Sequence, residues 1–269
     1  MPYVKTDAIE IYYEEEGSGD PVVLIGGLTS TVETWGMQRP ALAERYRVVL
    51  PDNRGSGRTR VPNDDGARSM EGFADDVLAL VDGLELDRIH LVGASMGGMI
   101  VQAFALAHPE RLRSLVLACT LFGGPQAVRA DPTVTARLLE ATGDNADASL
   151  GVVAHPETST KRPEAIRFYL AGKEAQPHSA EEVAARAQAV AAFDVADRVK
   201  DITVPTLVMT GKQDILVPPE NSRMLAERIP NAELVEIDQA GHIFFCEQPE
   251  AVNEALLTFL SARSSPLAR

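Results

Sequence analysis

Short apolar runs recur along most of this chain, and segments with helical periodicity separate them. In the first half the runs occupy residues 21–28, 47–52, 88–93 and 114–119, each followed by turn-forming residues. Between the second and third runs, apolar side chains recur at helical spacing over residues 71–84. Near-continuous apolar strands that alternate with helices are typical of a parallel sheet covered on both faces. This alternation therefore predicts an α/β fold.

The alternation stops in the middle of the chain and resumes later. Residues 122–200 are rich in alanine and carry three helical patterns, interrupted by prolines and a glycine, without a strand pattern. Strand patterns return at residues 205–211 and 232–238. The sequence therefore predicts a core made of residues 1–121 and 201–269, with residues 122–200 inserted as a block of helices.

Composition and charge exclude several classes of partner. The 269 residues are enough to bury a substantial core. The net charge of −14 argues against nucleic acid and against an anionic membrane, because both partners require a basic face. The apolar run 89–107 approaches membrane-spanning length, but its glycines and Ser95 favour a strand, a turn and a helix. No signal-peptide pattern opens the chain, and its 2 cysteines make no disulfide framework, so we expect a cytoplasmic protein.

One serine stands between two glycines directly after the apolar run 88–93. Gly93-Ala94-Ser95-Met96-Gly97 fits the pattern G-x-S-x-G, with a strand pattern before it and a helical pattern after it. A serine in such a turn adopts a strained backbone, and the flanking glycines remove the Cβ atoms that would clash there. The following helix directs its first N–H groups at the turn, where negative charge would develop during a reaction. Because this pattern arises by chance about 0.1 times in a chain of this length, other residues have to support it.

A serine nucleophile needs a base, and the base needs an acid that orients it. Of the 5 histidines, His242 follows a strand pattern in the loop QAGHIFF, where it can project over the carboxyl edge of the sheet. Asp214 also follows a strand pattern, in the loop GKQDILVPP. The alternative position for the acid is the loop after residues 114–119, which has no carboxylate before Asp131. We therefore predict Ser95 as nucleophile, His242 as base and Asp214 as the orienting acid, in the chain order that this motif requires.

The chain resembles the α/β-hydrolase fold over essentially its whole length. Its nearest resemblance is to the esterase and lactonase branch, which includes 3-oxoadipate enol-lactonases and related carboxylesterases. The matching segments are GGLTSTVETW (26–35), DNRGSGRT (52–59), FADDVLALVDGLELDRIHLVGASMGG (73–98), TGKQDILVPP (210–219) and AGHIFFCEQPE (240–250). The resemblance implies a mostly parallel eight-stranded sheet with helices on both faces, and a helical cap formed by residues 122–200. It is highly specific for the fold and only weakly specific for the substrate.

The resemblance also assigns two backbone donors to an oxyanion hole. One is the N–H of Met96, the residue after the serine. The other is the N–H of Leu28, in the loop after the first buried strand pattern. Many relatives have His-Gly before the second donor, where this chain has Gly26-Gly27. The backbone donor is retained here although the histidine side chain is absent.

Other residues carry weaker signals. We expect Asp52 and Arg54 to brace a turn, Trp35 to lie in the core or a pocket wall, and Cys246 to pack in the interior. Seven cations of the inserted block could pair with a substrate carboxylate, although charged side chains on helices usually face solvent: Arg129, Arg137, Lys161, Arg162, Arg167, Lys173 and Arg186. No phosphate-binding loop and no cluster with metal-ligand spacing occurs, so the sequence implies neither a cofactor nor a metal.

The favoured interpretation is an enzyme that hydrolyses a small carboxylic ester or lactone through an acyl intermediate on Ser95. A serine, histidine and aspartate triad of the same kind hydrolyses carbon–carbon bonds in related meta-cleavage product hydrolases. A cofactor-free perhydrolase or haloperoxidase side activity is also compatible with such a triad. A ligand receptor on this fold is a different class, and it is less favoured because binding does not require a strained serine. The expected partner is a small molecule, whose identity depends on cap and loop residues that follow no transferable rule.

Overall fold

Eight strands form one twisted sheet at the centre of the protein. A computed structural model describes residues 2–64, 66, 68–140, 147–175 and 178–264. The strands are β1 (Tyr3–Lys5), β2 (Glu10–Glu16), β3 (Pro21–Ile25), β4 (Arg47–Pro51), β5 (Ile89–Ala94), β6 (Leu112–Ala118), β7 (Thr206–Gly211) and β8 (Ala232–Ile237). They lie in the order β1-β2-β4-β3-β5-β6-β7-β8. Pairs β1·β2 and β2·β4 are antiparallel and the others are parallel, which confirms the predicted mostly parallel eight-stranded sheet.

Helices cover both faces of this sheet, as predicted. Those in the described residues are α1 (Arg39–Ala43), α2 (Met70–Gly83), α3 (Met96–Ala107), α4 (Pro132–Glu140), α5 (Leu150–Val153), α6 (Thr158–Lys161), α7 (Pro163–Ala175), α8 (Ala180–Ala192), α9 (Pro219–Arg228), α10 (Phe244–Glu247) and α11 (Pro249–Ser261). Alternate side chains of β3 point to opposite faces, so that Val23 joins the apolar cluster under α2, α3 and α9. Val22 joins the second cluster, under α1, α10 and α11. None of the helices in the described part of the chain has the length and apolarity needed to span a bilayer.

Helices α4 to α8 occupy the stretch between β6 and β7. The three helical patterns predicted there correspond to α4, α7 and α8, whereas the short helices α5 and α6 were not predicted. No strand of the sheet comes from the described residues of this stretch; residues 141–146 and 176–177 lie outside the described residues. The short edge strand β1 was also absent from the sequence patterns, because its three residues carry no detectable alternation.

The turn after β4 is braced by two acidic side chains. Asp52 is buried, and its two carboxylate oxygens accept hydrogen bonds from the backbone N–H groups of Val32 (2.9 Å) and Arg58 (2.8 Å). Arg54 donates two hydrogen bonds to Asp76 of α2, at 2.9 and 2.6 Å. These contacts confirm the structural role predicted for Asp52 and Arg54. They connect the turn both to the loop after β3 and to α2.

Replacing the buried carboxylate tests this brace. Asp52→Ala leaves two backbone donors without their acceptor, so we expect the free energy of unfolding to fall by about 2–4 kcal/mol. Urea denaturation measures the loss. Asp7→Ala is the matched control, because Asp7 is exposed between β1 and β2, and it should change stability by less than about 0.5 kcal/mol. Equal stability of the two variants would contradict the assigned role.

Candidate active site

Ser95 occupies the sharp turn between β5 and α3. Its backbone angles are φ 57° and ψ −121°, a region that residues other than glycine rarely adopt and that costs about 1–3 kcal/mol. The turn is held by β6 as well as by its own helix. Ser95 N donates to Ala118 O (2.9 Å), and Ser95 O accepts from Gly98 N (2.9 Å) and from Thr120 Oγ1 (2.7 Å). These bonds stabilise the strained conformation that the motif predicted.

The motif glycines allow three backbone segments to approach each other closely. A Cβ atom on Gly93 would lie 2.3 Å from Gly97 O, and one on Gly97 would lie 2.3 Å from Ile25 O. Neither separation is possible for a real side chain. A Cβ on Gly27 would lie 3.1 Å from the Cβ of Ser95, which is already tight. The first turn of α3 therefore packs against the end of β3, and the loop after β3 lies beside the serine.

Asp214 and His242 form a buried pair on the loops after β7 and β8. His242 Nδ1 lies 2.8 Å from Asp214 Oδ2, and the two residues are only 7% and 3% exposed. The other carboxylate oxygen, Oδ1, accepts from the N–H groups of Leu216 (2.9 Å) and Val217 (2.8 Å). These two bonds fix the direction of the carboxylate. With Nδ1 donating to it, Nε2 is the histidine nitrogen left to accept a proton.

Ser95 and His242 line the same cavity. No hydrogen bond joins the Ser95 hydroxyl to His242 within the described part of the chain. Hydrogen bonds of this kind are often long in an unliganded site and shorten when a substrate is bound. The fold thus brings all three predicted side chains to the carboxyl edge of the sheet. Asp214 and His242 are hydrogen-bonded to each other, and His242 is not hydrogen-bonded to Ser95.

The two predicted backbone donors, Met96 and Leu28, lie beside Ser95 at this edge of the sheet. Met96 is the first residue of α3, and Leu28 lies in the loop after β3 and lines the cavity of Ser95. In the described residues neither backbone N–H has a hydrogen-bond partner. Asn53 Nδ2 donates to Gly26 O at 2.9 Å and so holds the loop of Leu28. This amide braces the loop in a chain that lacks the histidine of many relatives.

A buried glutamate that sequence reasoning missed holds the loop of His242. Glu247, in α10, is fully buried, and its Oε2 accepts from Gly241 N at 2.6 Å. Its Oε1 accepts from His155 N at 2.7 Å and from the hydroxyl of Thr158. The carboxylate therefore connects the loop before α10 to the segment after α5 and to the first residue of α6. Its place in AGHIFFCEQPE offered no sign of burial, because the partners are distant in sequence.

Two cavities meet at Ser95. The smaller, of about 60 Å³, is bounded partly by Phe168, Tyr169 and Lys173 of α7. The larger, of about 230 Å³, has mainly apolar walls that include Met99 of α3 and residues of α4 and α8. Four residues border both cavities: Leu28, Ser95, Leu138 and Leu216. A ligand bound at the serine would therefore extend into two compartments of different size and polarity.

The seven cations of this stretch that could pair with a substrate carboxylate occupy different environments. Lys173 lines the smaller cavity and Arg129 the larger one. Arg186 is fully buried, where it donates to Glu182 O at 3.1 Å and to the hydroxyl of Ser56. The other four are exposed or half-buried outside the described cavity walls: Arg137, Lys161, Arg162 and Arg167.

Two residues predicted as packing groups are buried beside the site. Trp35 is 2% exposed and packs against Phe245, with ring centroids 5.6 Å apart. Cys246 is buried against the smaller cavity, and burial raises the pKa of its thiol far above the usual range. A thiol held in the protonated form is a poor nucleophile. Both packing predictions are confirmed.

Two further histidines are structural. His90 Nδ1 lies 2.7 Å from the hydroxyl of Ser114 inside the sheet, and His178 Nδ1 lies 3.2 Å from Arg186 Nη2. Burial lowers the pKa of each histidine to about 4, so both are neutral at pH 7. Within the described ranges, no three side chains of His, Cys, Asp and Glu are grouped so that they could hold a metal ion.

Comparison with known proteins identifies similar chains of nearly the same length. The family described as α/β hydrolase fold matches residues 20–249. RutD of Azorhizobium caulinodans, which carries the name carbamate hydrolase, is 34% identical over 261 residues, covering 96% of this chain and 98% of that protein. A malate-bound thermophilic esterase from Thermogutta terrifontis is 33% identical, with a TM-score of 0.84 and 98% of both chains covered. The enol-lactonase from Burkholderia xenovorans LB400 is 28% identical, with a TM-score of 0.84, and 97% of this chain and 100% of that one are covered.

The close backbone approach at the serine turn can be tested with two glycine substitutions. Gly97→Ala places a Cβ atom 2.3 Å from Ile25 O and 2.7 Å from Gly26 O, both backbone atoms that cannot rotate away. We expect the free energy of unfolding to fall by about 1–3 kcal/mol or more. Gly151→Ala is the matched control, since nothing lies within 4 Å of its added Cβ. Chemical denaturation that finds both variants as stable as the parent would contradict this packing.

Proposed function

Because this chain belongs to the α/β-hydrolase fold family, we propose that it is a serine hydrolase that cleaves a small carboxylic ester or lactone. The observation that carries the proposal is the strained Ser95 beside the buried Asp214–His242 pair. A receptor requires neither a strained serine nor an oriented histidine, so this arrangement favours an enzyme. The names of the three relatives compared above, an esterase, an enol-lactonase and a carbamate hydrolase, all describe hydrolysis at an acyl carbon.

The proposed reaction has two halves, and His242 moves the proton in both. In the first half, Nε2 takes the Ser95 proton while Oγ attacks the carbonyl carbon, and the Asp214 carboxylate stabilises the imidazolium. The negative oxygen of the tetrahedral intermediate accepts hydrogen bonds from the N–H groups of Leu28 and Met96. The imidazolium then protonates the leaving alkoxide, which leaves an acyl group on the serine. In the second half, His242 takes a proton from water as the water oxygen attacks the acyl carbon. The imidazolium then returns this proton to Ser95 Oγ as the bond from Oγ to the acyl carbon breaks and the acid is released.

We further propose that residues 122–200 act as a cap over a core of residues 1–121 and 201–269. The support is that α4 borders both cavities beside Ser95, while α7 borders the smaller cavity and α8 the larger one. Ligands of open α/β sheets bind at this edge, outside the carboxyl ends of the strands. Cavities of about 60 and 230 Å³ suit the two ends of a small molecule. A screen of short-chain esters, lactones and vinylogous diketones tests whether a carbon–oxygen or a carbon–carbon bond is cleaved.

Substitution of the three proposed catalytic residues tests the mechanism. For 4-nitrophenyl butyrate we expect Ser95→Ala and His242→Ala to lower kcat by about 10⁴–10⁶-fold, and Asp214→Asn by somewhat less, because the residues act as a unit. Rapid mixing with the parent protein should release a burst of one 4-nitrophenol per active site, which Ser95→Ala abolishes. Ser261→Ala, on the exposed side of α11, is the control and should retain parental activity. Near-parental hydrolysis by Ser95→Ala, with circular dichroism confirming its fold, would refute the assignment.

The proposed oxyanion hole is tested at Leu28 with a pair of substitutions. Leu28→Pro removes the backbone donor and should lower kcat by about 10²–10³-fold, whereas Leu28→Ala keeps the donor and should have a mild effect. Circular dichroism checks that both variants fold. A crystal structure of a phosphonate adduct on Ser95 gives a second readout. A phosphonyl oxygen outside hydrogen-bonding distance of both the Leu28 and Met96 N–H groups would rule this oxyanion hole out.

A further inference from the structure

One lysine in the wall of the smaller cavity pairs with no acidic side chain among the described residues. Lys173 lies near the C-terminal end of α7 and borders the cavity that also contains Ser95 and His242. Its Nζ donates to Ser149 Oγ at 3.3 Å and lies 5.3 Å from the ring centroid of Tyr169. No carboxylate among the described residues forms an ion pair with it. The ammonium group therefore contacts a hydroxyl and an aromatic ring. Its other N–H groups have no hydrogen-bond acceptor among the described residues.

This environment is unusual for a cation in such an acidic chain. The protein has 39 acidic and 25 basic residues, so a lysine without a carboxylate is not explained by a shortage of acids. Lys161, on the neighbouring helix α6, is exposed and pairs with Glu157 at 2.7 Å. Lys173 is half-buried instead, and burial lowers its pKa to about 8 with no charged neighbour contributing. The amine is therefore desolvated but still mostly protonated at pH 7, a state that an anion would stabilise.

The acidic residue of the same cavity does not supply that anion. Glu33 borders the cavity, but its two carboxylate oxygens are bound by the Arg58 guanidinium and by the Thr31 hydroxyl. Its charge is thus already paired with Arg58. The smaller cavity consequently combines one uncompensated positive charge with the proposed nucleophile. The larger cavity, on the other side of Ser95, is mainly apolar.

We propose that Lys173 binds a carboxylate of the substrate, so that the preferred ester or lactone carries one negative charge at the end that enters the smaller cavity. This inference rests on the proposed hydrolysis at Ser95. A single lysine balances the charge of a monoanionic carboxylate, whereas a dianionic phosphate would keep an unpaired negative charge in the cavity. The cavity of about 60 Å³ suits a short carboxylate-bearing group. The uncharged end of the substrate then occupies the larger, apolar cavity.

Matched pairs of esters test this assignment. Monomethyl succinate and methyl butyrate differ by a carboxylate in place of a methyl group on the acyl side, and acetoxyacetate and ethyl acetate differ likewise on the alcohol side. The readout is the ratio of kcat/KM for the charged ester over the neutral one, measured by pH-stat titration at pH 7. In one of the two pairs, Lys173→Met should lower this ratio by about 10–100-fold, mainly through KM. Lys173→Arg, which keeps the charge, should retain more of the ratio.

Lys161→Met is the matched control, because Lys161 is an exposed lysine of the same stretch outside both cavities. Its ratios should stay within about twofold of the parent's, since a surface ion pair contributes little. If Lys173→Met fails to fold by circular dichroism, Lys173→Gln replaces it. Ratios within twofold of the parent in both ester pairs, for a folded Lys173 variant, would overturn the proposal.

A binding measurement separates this inference from the proposed function. Calorimetric titration of Ser95→Ala with the two ester pairs and with inorganic phosphate requires no turnover. We expect the charged ester of one pair to bind more tightly than its neutral counterpart, and Lys173→Met in the same background to abolish the difference. Inorganic phosphate that binds as tightly as that charged ester, or a difference that survives Lys173→Met, would overturn the role of Lys173. Failure of every ester to turn over would instead overturn the proposed hydrolysis and leave the calorimetric result to decide the anion site.

Discussion

The close contact between α3 and the ends of β3 and β5 is the constraint on which the candidate site depends. Gly93 and Gly97 carry no Cβ atoms, so the chain can reverse at Ser95 with backbone atoms in direct contact. That reversal places the serine hydroxyl, the first N–H of α3 and the loop after β3 around one small volume. The strain at Ser95 persists because its backbone accepts hydrogen bonds from Gly98 and Thr120 and donates one to β6.

The rest of the site is supplied by loops that the sheet brings to the same edge. Asp214 and His242 follow adjacent parallel strands, so their loops emerge side by side. Buried polar groups outside the proposed triad fix two of the loops around the site. Asn53 holds the loop of Leu28, and Glu247 holds the loop of His242. Each of these groups satisfies backbone donors or acceptors that would otherwise be buried unpaired. The proposed chemistry therefore relies on bonds between segments far apart in the sequence.

The two cavities beside Ser95 differ in the polarity of their walls. One side offers mainly apolar walls from α3, α4 and α8, and the other offers Lys173 with hydroxyl and aromatic neighbours from α7 and the segment before α5. A ligand that extends into both cavities is desolvated differently at its two ends. A single charge in a desolvated cavity has a larger effect on binding than the same charge in water. The stretch between β6 and β7 supplies both kinds of wall. The proposed substrate preference and the proposed chemistry thus arise from different parts of the chain.

The sequence by itself determined the features that depend on local pattern. Alternating apolar runs predicted the parallel sheet, and the glycines around Ser95 predicted its turn, because backbone preference and side-chain periodicity are properties of neighbouring residues. Only the tertiary structure decided which polar groups are buried. Lys173 and Lys161 look alike in the sequence, yet one borders a cavity and the other pairs in solvent. Glu247 bonds to partners about 90 residues away, and burial of this kind is set by packing between distant segments, which no local pattern encodes.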